Sequence, residues 1–209
     1  MSDFRTDRSI IALRLLLGMV CTSSMAGATT NGLLLQTSVG GTHALAPDFL
    51  TSYWKHAIHI NASVGAHVVD GINGIIAFTH HTFDYDENRI IPSGQHATAN
   101  EMMLSLQNFA DTEWLDALLP FYSFGVGVTV VSTPPVHRPE IDPHYGARPG
   151  DVLELQHHQS GVSMGVGVGI MSMTNYDTGF FAELVTRTTF LAHQSFTYIA
   201  GRVGVSFVL

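Results

Sequence analysis

One cysteine in 209 residues, Cys21, leaves the chain unable to form an internal disulfide or a cysteine-based metal centre. Charge is scarce as well: only 12% of residues are charged, against 45% hydrophobic, which excludes a disordered, strongly solvated polypeptide. No run approaches the roughly 18 to 20 apolar residues of a membrane-spanning helix, so the hydrophobic residues serve some other architecture. The formal net charge is -8 and no Lys/Arg cluster stands out beyond the first residues. The electrostatic footprint of a nucleic-acid binder is missing, and nucleic acid is not an expected partner.

The first 28 residues read as a targeting segment. Arg5, Arg8 and Arg14 precede the apolar stretch LLLGMV, and Ala26-Gly27-Ala28 supplies a small-x-small cleavage pattern before Thr29. Residues 1–28 are the expected signal peptide and 29–209 the mature domain. Cys21 lies before the cut and follows Val20, where a lipidation site takes a small residue. The mature chain is therefore expected to carry no thiol and no lipid anchor.

From Gly32 onward, turn residues separate eight stretches with period-two patterning: Leu33–His43, Ala57–Val69, Asn73–Phe83, Asn100–Ala110, Phe121–Val131, His158–Met171, Gly179–Phe190 and Phe196–Val208. A tilted strand crosses hydrocarbon in about 9 to 11 residues, so each is long enough. Side chains at i and i+2 share a face of a strand. Tyr122, Phe124, Val126, Val128 and Val130 thus oppose Ser123, Gly125, Gly127 and Thr129, while Val162, Met164, Val166, Val168 and Ile170 oppose five small residues from Gly161 to Gly169. Such strands offer water no charged face, and lipid is the better outer solvent. The fold class expected is all-β, an eight-stranded antiparallel up-and-down transmembrane barrel.

The second face carries the polar chemistry. His59, Asn61, Ser63, His67, Glu101, Ser105, Gln107, Glu183, Arg187, Tyr198, Arg202 and Ser206 all fall on it. Glu101, Glu183, Arg187 and Arg202 are expected to form an ion-pair network in the lumen, because a charge in a narrow barrel is costly unless paired. Ile75, Ile76, Ala77 and Phe78 do not alternate cleanly, which makes the third strand the least regular. If the N-terminus starts in the periplasm, the long connections 44–56, 84–99 and 132–157 are extracellular. Pro134, Pro135, Pro139, Pro143 and Pro149 make the last of these an expected irregular excursion. Aromatics near strand ends (Tyr53, Trp54, Phe83, Tyr85, Trp114, Phe121, Tyr122, Tyr176, Phe180, Phe181, Phe190) are expected to form interfacial girdles.

The ending Arg202-Val203-Gly204-Val205-Ser206-Phe207-Val208-Leu209 resembles the outer-membrane β-signal, a polar residue with Gly204 two on, the aromatic Phe207 three later, and the hydrophobic Leu209 last. Leu209 replaces the commoner final phenylalanine. Together with FYSFGVGVTVV and GFFAELVTRTTF, this ending makes the chain similar to the small eight-stranded outer-membrane proteins of the OmpX/Ail and OmpA-barrel group. The resemblance implies location in a Gram-negative outer membrane, contact with its lipid and lipopolysaccharide, and recognition of the last strand by the barrel-assembly machinery. Members of that group serve as adhesins, serum-resistance factors and envelope-stabilising proteins, and more distant barrels modify lipid A.

Twelve histidines beside nine Lys plus Arg raise a metal question. The pairs His80-His81 and His157-His158 point to opposite strand faces, so neither chelates alone, and no metal or cofactor is expected. His158-Gln159-Ser160 places a His and a Ser on one face, the spacing of a lipid A deacylase rim, with Glu154 the nearest acid. The same spacing recurs at His193-Gln194-Ser195, so chance accounts for it, and no catalytic residue is assigned. Eight strands enclose an interior just wide enough for side chains to fill. Gly125, Gly127, Gly165, Gly167 and Gly169 thin one wall, and large residues such as Met103, Phe109, Tyr198 and Arg202 are available to fill the space. The expected function is a non-enzymatic surface scaffold whose loops carry the contacts, with a lipid-modifying enzyme or a minor channel as alternatives.

Overall fold

The computed structural model describes residues 32–46, 54–69, 71–85, 91–92, 96–110, 118–137, 152–154, 157–174, 177–192 and 194–209. The expected signal peptide, residues 1–28, lies outside them. All the described regular structure is β: β1 (Leu33–Ala46), β2 (Trp54–Val69), β3 (Ile72–Tyr85), β4 (Ile91–Pro92), β5 (Ala97–Phe109), β6 (Leu119–Thr133), β7 (Val136–His137), β8 (Val152–Glu154), β9 (His157–Met173), β10 (Thr178–Phe190) and β11 (Ser195–Val208).

Eight of these strands close into a barrel in the order β1-β11-β10-β9-β6-β5-β3-β2. Each is antiparallel to its neighbours, and β1 meets β11 to complete the ring. Closure extends to the last residue, since Leu33 N–H donates to the Leu209 carbonyl at 3.0 Å and Leu209 N–H returns to Leu33 at 2.9 Å. A closed ring removes the unpaired sheet edges that invite aggregation. At the end where β1 starts and β11 finishes, Gly71 takes φ 76° between β2 and β3, a backbone state for which glycine incurs little steric cost. At the opposite end, Leu191 N–H donates to the Gln194 carbonyl at 2.9 Å and turns β10 into β11.

Period-two alternation decides which residues face where. Val166, Val168, Ile58 and Val203 are each about 60% exposed on the outer wall, whereas Gln36, Asn61, Glu101 and Ser163 are buried inside. Apolar clusters fill both ends of the interior. Trp54, Phe83, Phe196 and Tyr198 pack with small alanines at the loop end. Leu34, Ile75 and Ala77, and separately Phe121, Met171 and Phe181, pack at the terminal end.

Three expectations need correction. Among the described residues the interfacial girdle is smaller than expected: Tyr122, Phe180 and Phe190 face outward, but Trp54, Phe83, Phe121 and Phe181 point into the barrel and are buried, while Tyr53, Trp114 and Tyr176 lie outside the described residues. Position near a strand end says nothing of parity, and it is parity that sets the face. β3 in fact alternates regularly, with Ile75 and Ala77 inward and Ile76 and Phe78 outward. Its inner face simply carries apolar residues where the terminal-end cluster needs them. The proline-rich connection also carries regular structure, because β4, β7 and β8 form a small three-stranded sheet that ties it to the loop after β3. Pro92 is tolerated there because β4 is an edge strand.

Candidate functional site: the polar layer inside the barrel

Between the two apolar ends lies a layer of charged and hydroxyl groups. Glu101 on β5 forms an ion pair with Arg187 on β10, three strands away around the ring, so the pair spans the lumen. Tyr198 on β11 donates its hydroxyl to Glu101 Oε2 at 2.8 Å, and Thr129 adds a longer contact of 3.4 Å. A second pair joins neighbouring strands: Arg202 Nε donates to Glu183 Oε2 at 2.7 Å, and Ser123 donates to Glu183 Oε1 at 2.6 Å. The four charged residues singled out in the sequence therefore lie as two pairs, Glu101 with Arg187 and Glu183 with Arg202. Each carboxylate also accepts a hydroxyl hydrogen bond, the arrangement that keeps a buried ion pair from being a net penalty.

Glycine makes the room for these groups. A Cβ at Gly165 would meet the Arg187 side chain, and one at Gly167 would meet Glu183 and Ser123. Gly125 and Gly127 lie against Met103, and Gly169 against Phe121. The thin wall of β6 and β9 is thus filled from within by Met103 of β5, Phe121 of β6 itself, and Glu183 and Arg187 of β10.

Two further parts of the layer were legible in the sequence only as inner-face residues, His59 and Thr129 among them, and not as linked groups. Thr129, Ser163 and Thr189, all fully buried, pass hydroxyl contacts of 2.6 and 2.9 Å across β6, β9 and β10. Thr42 lies between two imidazoles, its Oγ1 2.9 Å from His59 Nδ1 and 3.0 Å from His81 Nδ1. The hydroxyl has one proton, so it can donate to only one of them, and at least one imidazole must donate its Nδ1 proton to Thr42. Parity alone puts these residues inside, but their small or common side chains carry no motif. A cavity of about 10 Å³, the size of a single water, lies beside His81, Arg187, Tyr198 and Arg202.

The His158-Gln159-Ser160 spacing lies at the loop end of β9. His158 Nδ1 lies 2.7 Å from Ser132 Oγ, its partner across the strands, and Ser160 is exposed on the outer wall opposite Val130. Glu154 belongs to β8 and pairs with Val136 in the loop sheet. Of the adjacent histidines, His81 is buried in the interior while His80 turns the other way, 2.7 Å from Asn100. His193 lies outside the described residues. At the C-terminus, Gly204 lies against the Phe181 ring, whereas Phe207 and Leu209 are exposed on the outside.

Among solved structures, Neisserial surface protein A aligns with 85% of this chain and 97% of its own, at 12% identity and a TM-score of 0.62. The outer membrane protein OprG from Pseudomonas aeruginosa aligns with 88% of this chain and 98% of its own, at 9% identity and a TM-score of 0.55. The fold is that of the small outer-membrane β-barrels. No protein-family model matches the sequence, and no curated protein matches it. Within this barrel fold the apolar wall faces outward and the charges inward, the reverse of a soluble barrel with a greasy core.

Proposed function

We propose that the chain is an outer-membrane surface protein, a rigid barrel that holds extracellular loops for adhesion or for contact with host or envelope components. The observation that carries this reading is the outer wall. Large apolar side chains on all eight barrel strands, from Leu35 on β1 to Phe207 on β11, stand exposed around a core that holds two ion pairs. Exposed apolar patches of soluble monomers seldom exceed a few hundred Å², and a band that encircles the molecule calls for lipid. On this reading the polar residues on the outer wall near the loop end, among them His80, Ser132 and His158, would meet lipopolysaccharide head groups.

The small sheet of β4, β7 and β8 supports the role given to the loops. It pairs Ile91 and Pro92, from the connection after β3, with Val136 and His137 of the connection between β6 and β9, so the two connections are joined through backbone pairing. Loops on a rigid scaffold are where binding is usually placed. On this reading residues 1–28 direct export, and Gly204, Phe207 and Leu209 are read by the assembly machinery.

Fractionation and gel mobility test the membrane assignment together. The protein is expected in the outer-membrane fraction, and after refolding in detergent micelles it should migrate faster unheated than boiled. Folding in plain buffer without detergent would overturn it. The loop assignment is tested by deleting residues 138–150, which should leave heat-modifiable migration intact and abolish attachment of expressing bacteria to cells or matrix. Unchanged attachment would remove the surface-contact role.

A further inference from the structure

The register of the β1–β2 hairpin places Thr42 opposite Ala57 and His43 opposite His56. Directly opposed residues of antiparallel strands share a face with their Cβ atoms about 5 Å apart. Both imidazoles are exposed on the outer wall at the loop end of the hairpin. Their Nδ1 atoms face each other at 3.2 Å, with ring centroids 5.0 Å apart and planes tilted by 42°. The pairing of β2 with β3 skips the stretch between Trp54 and Ala57, so His56 is registered against β1 alone.

A hydrogen bond between two exposed imidazoles gains little, because water competes for each nitrogen. As a chelate the same pair has more to offer. Two neutral nitrogen donors from separate strands are held at fixed spacing by backbone pairing, so little ordering entropy is lost on binding. An imidazole nitrogen sits about 2.0–2.1 Å from zinc. Two such bonds at an angle of about 90–110° put the nitrogens about 2.9–3.4 Å apart. The observed separation falls inside that range.

Three histidines nearby on β2 and β3 are placed differently. His59 and His81 share Thr42 in the interior, and His80 contacts both Asn100 and Thr82. In neither case do two ring nitrogens face each other across a strand pair at the surface. The geometry points to a divalent transition-metal site, for Cu²⁺ or Zn²⁺, formed by His43 and His56 on the outer lip of the barrel, with water completing the coordination. Imidazole suits both ions, and Cu²⁺ binds a given nitrogen site more tightly. Cu²⁺ is therefore the probe. The inference does not depend on what the loops bind.

The test uses the untagged, thiol-free mature chain, residues 29–209, refolded in micelles, titrated with Cu²⁺ and followed by electron paramagnetic resonance, with unheated gel mobility confirming the fold of every variant. The first equivalent is expected to show coupling to two nitrogens. His43→Ala and His56→Ala should each weaken binding by at least about tenfold, the lower end of what even a second-shell change brings. His80→Ala should leave the first equivalent unchanged. A first-equivalent spectrum from a single nitrogen, or equal Cu²⁺ affinity in the His43→Ala/His56→Ala double variant and the parent, overturns the assignment.

Discussion

Tyr198 donates its hydroxyl to the same Glu101 carboxylate that pairs with Arg187, so one buried anion ties β5 to β10 and β11 across the lumen. Removing a single partner should therefore cost more than the pair contributes. Arg187→Ala would strand Glu101, which is only 1% exposed, and is expected to destabilise the barrel by about 3–5 kcal/mol. Tyr198→Phe removes one charge-assisted hydrogen bond and should cost about 1.5–3 kcal/mol. Replacing both charges, as Glu101→Gln with Arg187→Met, should recover most of the loss, because no unpaired charge remains. The temperature at which the fast unheated band converts to boiled mobility reads all three. Equal shifts for the single and double replacements would show that the ion pair is not what matters there.

Glycine tolerance should follow the inner and outer walls. A Cβ at Gly127 would run into the Met102 backbone carbonyl and the Met103 side chain, whereas one at Gly201 meets nothing within 4 Å. Gly127→Ala is expected to destabilise by about 1–3 kcal/mol through overpacking. Gly201→Ala should stay within about 0.5 kcal/mol of the parent. Denaturant titration of refolded protein measures both, and similar midpoints for the two variants would contradict the tight packing of β6 against β5.

The barrel was legible because its two faces meet different solvents, and that difference is written as period-two alternation in Phe121–Val131 and His158–Met171. Partner choice was less legible. Which of Glu101 and Glu183 meets which arginine depends on how strands face one another across the lumen, and that follows from the register of the closed ring rather than from spacing along the chain. The buried aromatics escaped for a related reason, since Phe83 and Phe181 sit near strand ends yet have inward parity. Two- and three-residue strands such as β7 and β8 have no period to detect. The His43–His56 pair fell at the edges of the expected segments: β1 runs on to Ala46 and β2 begins at Trp54, beyond the clean alternation.

A charge on the outer wall separates lipid from water as its solvent. Val166 lies near the middle of β9 and is 58% exposed. In a bilayer, Val166→Arg should cost about 2–4 kcal/mol, the penalty of a cation at mid-depth on a barrel's lipid face. On a wall bathed in water the same change would be nearly neutral. Urea unfolding from lipid vesicles, with Val166→Leu as the size control, should show the loss for arginine alone.

The C-terminal strand allows assembly in cells to be separated from stability. Phe207 is exposed on the outside of β11, paired in register with Leu35 and Thr178, and so contributes little to interior packing. Phe207→Ala should refold in micelles like the parent, because surface truncations outside a packed core usually stay within about 0.5 kcal/mol. If the ending is read as an assembly signal, the same variant should reach the outer membrane at several-fold lower yield and accumulate unfolded in the periplasm. Val203→Ala, on the same strand and outer face, is the matched control and should assemble normally. Equal outer-membrane yields for the two variants would detach Phe207 from any recognition role and leave it as one more apolar side chain of the wall.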